Sequence, residues 1–339
     1  MRRPHGSLSA GVATILVCCA LLAPLAGCGD GQATAPEDMR QVTLGVSGEA
    51  LDSLAYIAAG EGFFEQEGLD VELVEFESAQ TALEAMLAGD IGAALCADTP
   101  IVMAAVQGKP FRIITTIGTH ANDIKIVARA SAGITEPADL RGKRVGTRQG
   151  TAANFFLHTV LVKYALADSD VQFTYDTFEN VTAALIAGEI DAAALRQPFI
   201  SQLEDALGRD FVLFEEEGLY EKTMSLCVRS GQGKLDPEIE ERLVRAFIAA
   251  EDASVTDDTG RLKTEVAEAM GVPAEDLCDC IIVHGSVGLR QSLLLGFEDQ
   301  ARWAIGSGHV SAPEVLDMLS IIDTTVLDAI APDRVTVIR

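Results

Sequence analysis

Short apolar runs, each followed by a stretch with helical spacing, recur along this chain from Val42 onward. The run Val42 to Val46 predicts a strand; the loop Ser47-Gly48-Glu49 follows, then an Ala-rich helix from about Leu51 to Gln66. Leu69 to Phe76 alternates apolar and acidic residues, the pattern of a strand with one wetter face near a sheet edge. A helix over Ser78 to Leu87 and a strand over Ile91 to Cys96 come next. Asp98-Thr99-Pro100 opens a further helix, with Asp98 or Thr99 as N-cap and Pro100 in the first turn, where its missing N–H costs little. Phe111 to Ile117 predicts the following strand. Repeated strand-then-helix units predict an α/β fold whose loops gather at the C-terminal ends of parallel strands, in a crevice suited to ligands.

The same pattern sharpens between Asp139 and Tyr164. Arg144 to Thr147 reads as a strand, Arg148-Gln149-Gly150 as a turn, and Thr151 as the cap of a helix with Phe156, Leu157, Val160, Leu161 and Tyr164 on its apolar side. The unpaired amides at such a helix start, with the helix dipole behind them, form a socket for an anion or polar ligand. Leu87-Ala88-Gly89-Asp90-Ile91 returns as Ile186-Ala187-Gly188-Glu189-Ile190, 99 residues on. In each copy a Pro-containing loop follows the next strand, Asp98-Thr99-Pro100 in one and Arg196-Gln197-Pro198 in the other, so a duplicated lobe is expected. Beyond Ser230 the pattern turns helical. One helix starts at Asp236-Pro237 with Ile239, Leu243 and Phe247 on one face, another at Ser286 with Leu289, Leu293 and Phe297, and Ser311 to Glu314 reads as a capping box.

The first residues follow a different rule. Arg2 and Arg3 precede an apolar run, Gly11 to Ala26, too short to span a membrane comfortably, and it ends in Leu25-Ala26-Gly27-Cys28. This resembles the lipobox of bacterial lipoproteins. It implies that residues 1–27 are a signal peptide, that Cys28 carries acyl chains, and that the protein is exported and anchored to a membrane through that lipid. Residues 28–41 read as a flexible tether. Without residues 1–27 the chain keeps 23 Lys+Arg against 51 Asp+Glu, a net charge near −28, which repels nucleic acid. Outside the signal and the lipobox the cysteines are Cys96, Cys227, Cys278 and Cys280. Cys278, Cys280 and His284 supply three candidate ligands without a fourth, so no metal and no cofactor are expected. A Cys96–Cys227 disulfide stays open. So does the use of His120 with Asp123 as an acid/base pair.

Four features occur in order: the lipobox; the acidic-aromatic stretch Gly62 to Leu73; Gly89-Asp90-Ile91 followed by Asp98-Thr99-Pro100; and Ala138-Asp139-Leu140 running through Gly142-Lys143 into Gly150-Thr151-Ala152-Ala153. Together they resemble the solute-binding proteins of ABC importers in the nitrate, sulfonate, taurine and thiamine-precursor group. The resemblance implies a type II periplasmic-binding-protein fold of two lobes, each a mixed sheet flanked by helices. Lobe one would be discontinuous, at 42–124 and 222–339, with lobe two at 125–221 and hinges at Asn122 to Val127 and Lys222 to Val228. Carried over by position, the ligand contacts are Ser47, Gly48 and Glu49; Asp98 and Thr99; Thr119 and His120; Gly150, Thr151 and Ala152; and Arg196 with Gln197.

The resemblance also implies a monomer that hands its ligand to an ABC permease with its ATPase. Relatives often carry Trp-Glu-Pro-Phe where this chain has Arg196-Gln197-Pro198-Phe199, so a cation replaces an aromatic wall. Arg148 and Arg196, with the Thr151 helix start, favour a small organic anion. Glu49 and Asp98 opposite them leave a zwitterion open. A pyrimidine thiamine precursor, an enzyme on the same scaffold and a sensor subunit are the alternatives, and the sequence carries no phosphate loop, dinucleotide fingerprint or nucleophile elbow for the enzyme.

Overall fold

The computed structural model describes residues 39–277, 287–311 and 317–338. The lipobox with Cys28, the cluster Cys278, Cys280 and His284, the helix start at Ser286 and the capping box through Glu314 lie outside those residues.

Two five-stranded sheets, each with one antiparallel member, make two lobes. The chain runs through β1 (Arg40–Val46), α1 (Ser53–Gly60), α2 (Phe63–Gln66), β2 (Leu69–Glu75), α3 (Ala79–Ala88), β3 (Ala93–Ala97), α4 (Asp98–Val106) and β4 (Phe111–His120). It then crosses to the second sheet and builds β5 (Lys125–Arg129), β6 (Arg144–Thr147), α5 (Ala152–Lys163), β7 (Gln172–Tyr175), α6 (Phe178–Ala187), β8 (Ala192–Leu195), α7 (Phe199–Leu207) and β9 (Phe211–Phe214). It returns as β10 (Lys222–Arg229) and finishes with α8 (Pro237–Thr256), α9 (Arg261–Met270), α10 (Gln291–Gly306) and α11 (Thr325–Ile330).

The strand orders are β2-β1-β3-β10-β4 and β7-β6-β8-β5-β9. Each antiparallel strand thus sits between the third strand of its lobe and the edge, β10 in one and β5 in the other. The sequence repeat falls on equivalent pieces. α3 and α6 are capped at Ser78 and Thr177 and end at Gly89 and Gly188, with φ of 93° and 74°. A Cβ at either glycine would be strained by the positive φ and would have to displace a guanidinium, that of Arg229 from β10 at Gly89 and that of Arg129 from β5 at Gly188. An apolar core fills each lobe. α8 belongs to lobe one, where Phe247 meets Phe64 edge-on at 5.7 Å and Glu240 pairs with Arg112 of β4. α10 reaches lobe two as well, with Trp303 against Phe155 of α5 at 5.2 Å between ring centroids.

Three local expectations are corrected. The helix expected over Leu51 to Gln66 is broken at Gly62, whose φ of 72° ends α1 and starts α2, so the Ala-rich pattern ran through a turn. α10 begins at Gln291, and Leu289 lies ahead of it in a bridge to Val335 that its apolar side chain could not signal. β4 continues past Ile117 to His120, because Lys222 and Thr223 of β10 pair with its polar end.

Candidate functional site

Three helix starts converge where the sheets face each other. Ser78 to Gln80 opens α3, Ala97 and Pro100 flank the start of α4, and Thr151 to Ala153 opens α5; all line one small cavity of about 20 Å³, room for about one water. The first two come from lobe one and the third from lobe two. First-turn amides have no intrahelical acceptor, and the three dipoles present positive ends to the cavity. Arg196, at the end of β8, enters the same space and is 7% exposed. Its guanidinium lies over Phe178 and Phe199, 5.5 and 5.8 Å from the ring centroids, and donates through Nη1 to the Gln197 carbonyl at 2.9 Å.

Across the lobes, Arg196 Nε stands 3.4 Å from Glu49 Oε1, an ion pair without hydrogen-bond geometry, and Nε has no hydrogen-bond acceptor among the described residues. Glu49 also takes Lys222 Nζ, which in turn reaches Asp123 Oδ2 at 2.8 Å. Two carboxylates and two cations are therefore buried together with a net charge of zero. Burial alone would raise the Asp123 pKa, but Lys222, with help from Arg196, holds it below the ordinary range. Burial likewise opposes the Lys222 charge, and the Asp123 and Glu49 carboxylates override it and raise the pKa.

On the far side of the Arg196–Glu49 pair lies a second chamber of about 590 Å³. His120, Asn122, Asp123 and Gln197 contribute its polar wall, and Met270, Val272 and Leu277 its apolar one. Glu49 and Arg196 line both chambers, so their ion pair is the partition.

A model of the family described as NMT1/THI5 like matches residues 53–257, well over half the chain. The chain belongs to that family. This NMT1/THI5-like protein is similar to the taurine-binding periplasmic protein of Escherichia coli (strain K12), 23% identical over 226 residues that cover 65% of this chain and 70% of that one. Among solved structures, it superposes on the alkanesulfonate-binding protein from Xanthomonas axonopodis pv. citri bound to MOPS with a TM-score of 0.71, at 20% identity over 84% of this chain and 98% of that one. The periplasmic nitrate-binding protein from Synechocystis PCC 6803 gives 0.69 at 15% identity, over 89% and 92%. These likenesses carry the fold: two lobes, each a mixed sheet flanked by helices, with lobe one discontinuous.

The residues expected at the site do not form one group in this NMT1/THI5-like chain. Thr151 and Ala152 line the inner chamber, Glu49 and Arg196 line both, and Gly48, His120 and Gln197 line the outer one. Thr151 occupies the N-cap position without capping: its hydroxyl donates to the Arg148 carbonyl at 2.7 Å. Ser47 is turned inward, its amide and hydroxyl both donating to Asp52 Oδ2 at 2.8 and 3.0 Å. Gly150 gives its amide to Asn154 and lines a separate groove with Gln149 and His309. Arg148 spends its charge on Glu77 of lobe one.

Asp98 and Thr99 face away from both chambers. Asp98 accepts from the Thr99 amide at 2.9 Å, from the Tyr220 hydroxyl, and from Gln300 of α10 at 2.8 Å. Thr99 donates to Gln300 at 2.6 Å. Asp98 and Thr119 line a third cavity, of about 280 Å³, under α10. Burial pushes the Asp98 carboxyl up to about 6. Lys222, Phe178 and the Ser78 helix start went unanticipated as site residues. Ser78 carried the same cap signal as Thr151; Lys222 carried none, being one lysine at the start of an apolar strand.

Cys96 and Cys227 are free, buried thiols on neighbouring strands of lobe one, Cys96 opposite Ser225 and Cys227 opposite Ala94. They are offset diagonally rather than paired directly.

Proposed function

We propose that this protein is the extracytoplasmic solute-binding component of an ABC importer and that it captures an organic anion or zwitterion between its lobes. The observation that carries the reading is the inner chamber, where three helix starts from both lobes meet a buried arginine whose Nε has no hydrogen-bond acceptor among the described residues. An anion there touches both lobes. It therefore binds the closed form better than the open one, and closure presents a single surface to a permease. The names of the taurine-, alkanesulfonate- and nitrate-binding relatives support the same class of ligand.

The protein acts as a carrier and not as an enzyme. Its lipid on Cys28 holds it at a membrane, and it works as a monomer. Residues 121–124 and 215–221, which pass between the sheets, take up the rotation of closure; Lys125 to Val127 and Lys222 to Val228 are held in ladders. Isothermal titration with sulfonates and carboxylates, combined with small-angle scattering, tests the reading. Saturable one-to-one binding with compaction is expected, and Arg196→Ala should weaken it by about 2–5 kcal/mol. Full affinity in Arg196→Ala, or binding of neutral pyrimidines in preference to every anion, would refute the anion assignment.

A further inference from the structure

The outer chamber shares Glu49 and Arg196 with the inner one, and the proposed capture of an anion does not by itself use it. Its volume of about 590 Å³ is that of a pocket for an organic molecule of moderate size, while the inner chamber of about 20 Å³ holds little more than a water. Two polar atoms on its wall, His120 Nδ1 and Asn122 Oδ1, are buried and have no hydrogen-bond partner among the described residues. Buried polar atoms left without partners mark a place where a further group belongs. Opposite them, Met270, Val272 and Leu277 offer an apolar surface.

The charges around the chamber are already matched. Asp123 meets Lys222, Lys125 meets Glu215, and Glu49 meets Lys222 and Arg196. Glu275 adds one more carboxylate at the exposed rim. A second anionic group would find no spare cation among the described residues of this wall.

We infer that this chamber receives the tail of the ligand whose anionic head takes the place of the Glu49 carboxylate at Arg196. The substrate is then an elongated organic anion, with an uncharged or cationic tail that has an apolar side and a hydrogen-bond donor for Asn122, and not a small inorganic oxyanion. Because both chambers share the Arg196–Glu49 wall, a head group that separates that pair leaves its tail in the outer space.

The inference rests on the anion-carrier reading, and titration calorimetry with nitrate, ethanesulfonate and MOPS separates the two. Wild-type protein should bind MOPS about tenfold or more tighter than ethanesulfonate, since several methylenes leave water in one case only, and nitrate weakest of the three. Val272→Trp, which fills the chamber, should abolish the preference for MOPS while ethanesulfonate binding persists, with the melting temperature as the check on folding. Equal affinity of wild-type protein for MOPS and ethanesulfonate, or a folded Val272→Trp that keeps the preference, overturns the tail chamber and leaves the carrier reading intact. The wild-type comparison decides even when the variant does not fold. Failure of all three anions to bind overturns both.

Discussion

Lys222 is the residue whose removal should tell most about the buried charge cluster. Its side chain is 3% exposed, and those of its partners Glu49 and Asp123 are 6% and 10% exposed. At the 2.8 Å separation from Asp123, and with an effective dielectric constant of about 20, the attraction amounts to about 6 kcal/mol, most of it offset by the cost of taking the ions out of water. Lys222→Met leaves one cation, Arg196, for two buried carboxylates. The expected loss of unfolding free energy is about 3–5 kcal/mol, the usual result of stranding a buried charge. Adding Glu49→Gln to Lys222→Met should recover part of it, because the stranded carboxylate is then neutral. Urea unfolding of the wild type, both single variants and the double variant measures the coupling.

The pH dependence supplies a second signature. In Lys222→Met the Asp123 carboxyl loses the charge that overrides its burial and should titrate above its unfolded value, so the variant binds more protons folded than unfolded and regains stability relative to wild type as pH falls from about 7 to about 5. Single-variant losses below about 1 kcal/mol that simply add would refute the cluster as a coupled unit.

Two further outcomes follow from the hydrogen bonds and the titrating groups. Asp52 and Asp98 are both pushed up to about 6, mainly by burial, so each keeps its proton in the folded state when the unfolded chain has lost it. Their contribution is fully present below about pH 4 and fades as pH rises through about 6, by up to about 3 kcal/mol each between the limits. Urea midpoints should therefore fall from about pH 5 to about pH 8, and a steady rise over that range would contradict the assignment. Thr151→Ala should cost about 1 kcal/mol of stability, since the hydroxyl holds the Arg148 carbonyl, with little loss of ligand affinity because the proposed contact is through amides that the substitution leaves in place; an affinity loss of tenfold at unchanged stability would place the hydroxyl on the ligand.

What could be read in the sequence was what depends on neighbours along the chain. The repeat centred on Gly89 and Gly188 announced two similar lobes because each glycine ends its helix in a left-handed conformation that other residues avoid, whatever lies elsewhere in the molecule. The start of α5 was legible from Gly150, whose φ of 73° turns the chain ahead of it, although the Thr151 hydroxyl does not cap the helix. The partners of charged side chains were not. Asp98 looked like a wall of the cleft until Gln300, 202 residues away, took its carboxylate from the other side. Arg196 stood out as a cation in a loop after a strand, yet nothing local disclosed that Glu49 would meet it, or that Lys222 would join Glu49 across 173 residues. Backbone turns obey short-range sterics; buried ion pairs are fixed by how two sheets come to face each other.

The placement of β10 between β3 and β4 governs the order in which this molecule can be built. Every strand of the second sheet lies between Lys125 and Phe214, so a chain emerging from its N-terminus has that sheet complete once β9 is out. The first sheet at that moment is in two pieces, with β4 detached, and its missing ladder links Cys96 to Ser225 across nearly the whole second lobe. Closing so long a loop is slow, and the lobe made first is the lobe finished last. A nascent chain halted after Phe214 should thus show a protease-resistant second lobe beside a first lobe that is still open to cleavage, and extension through Arg229 should protect both.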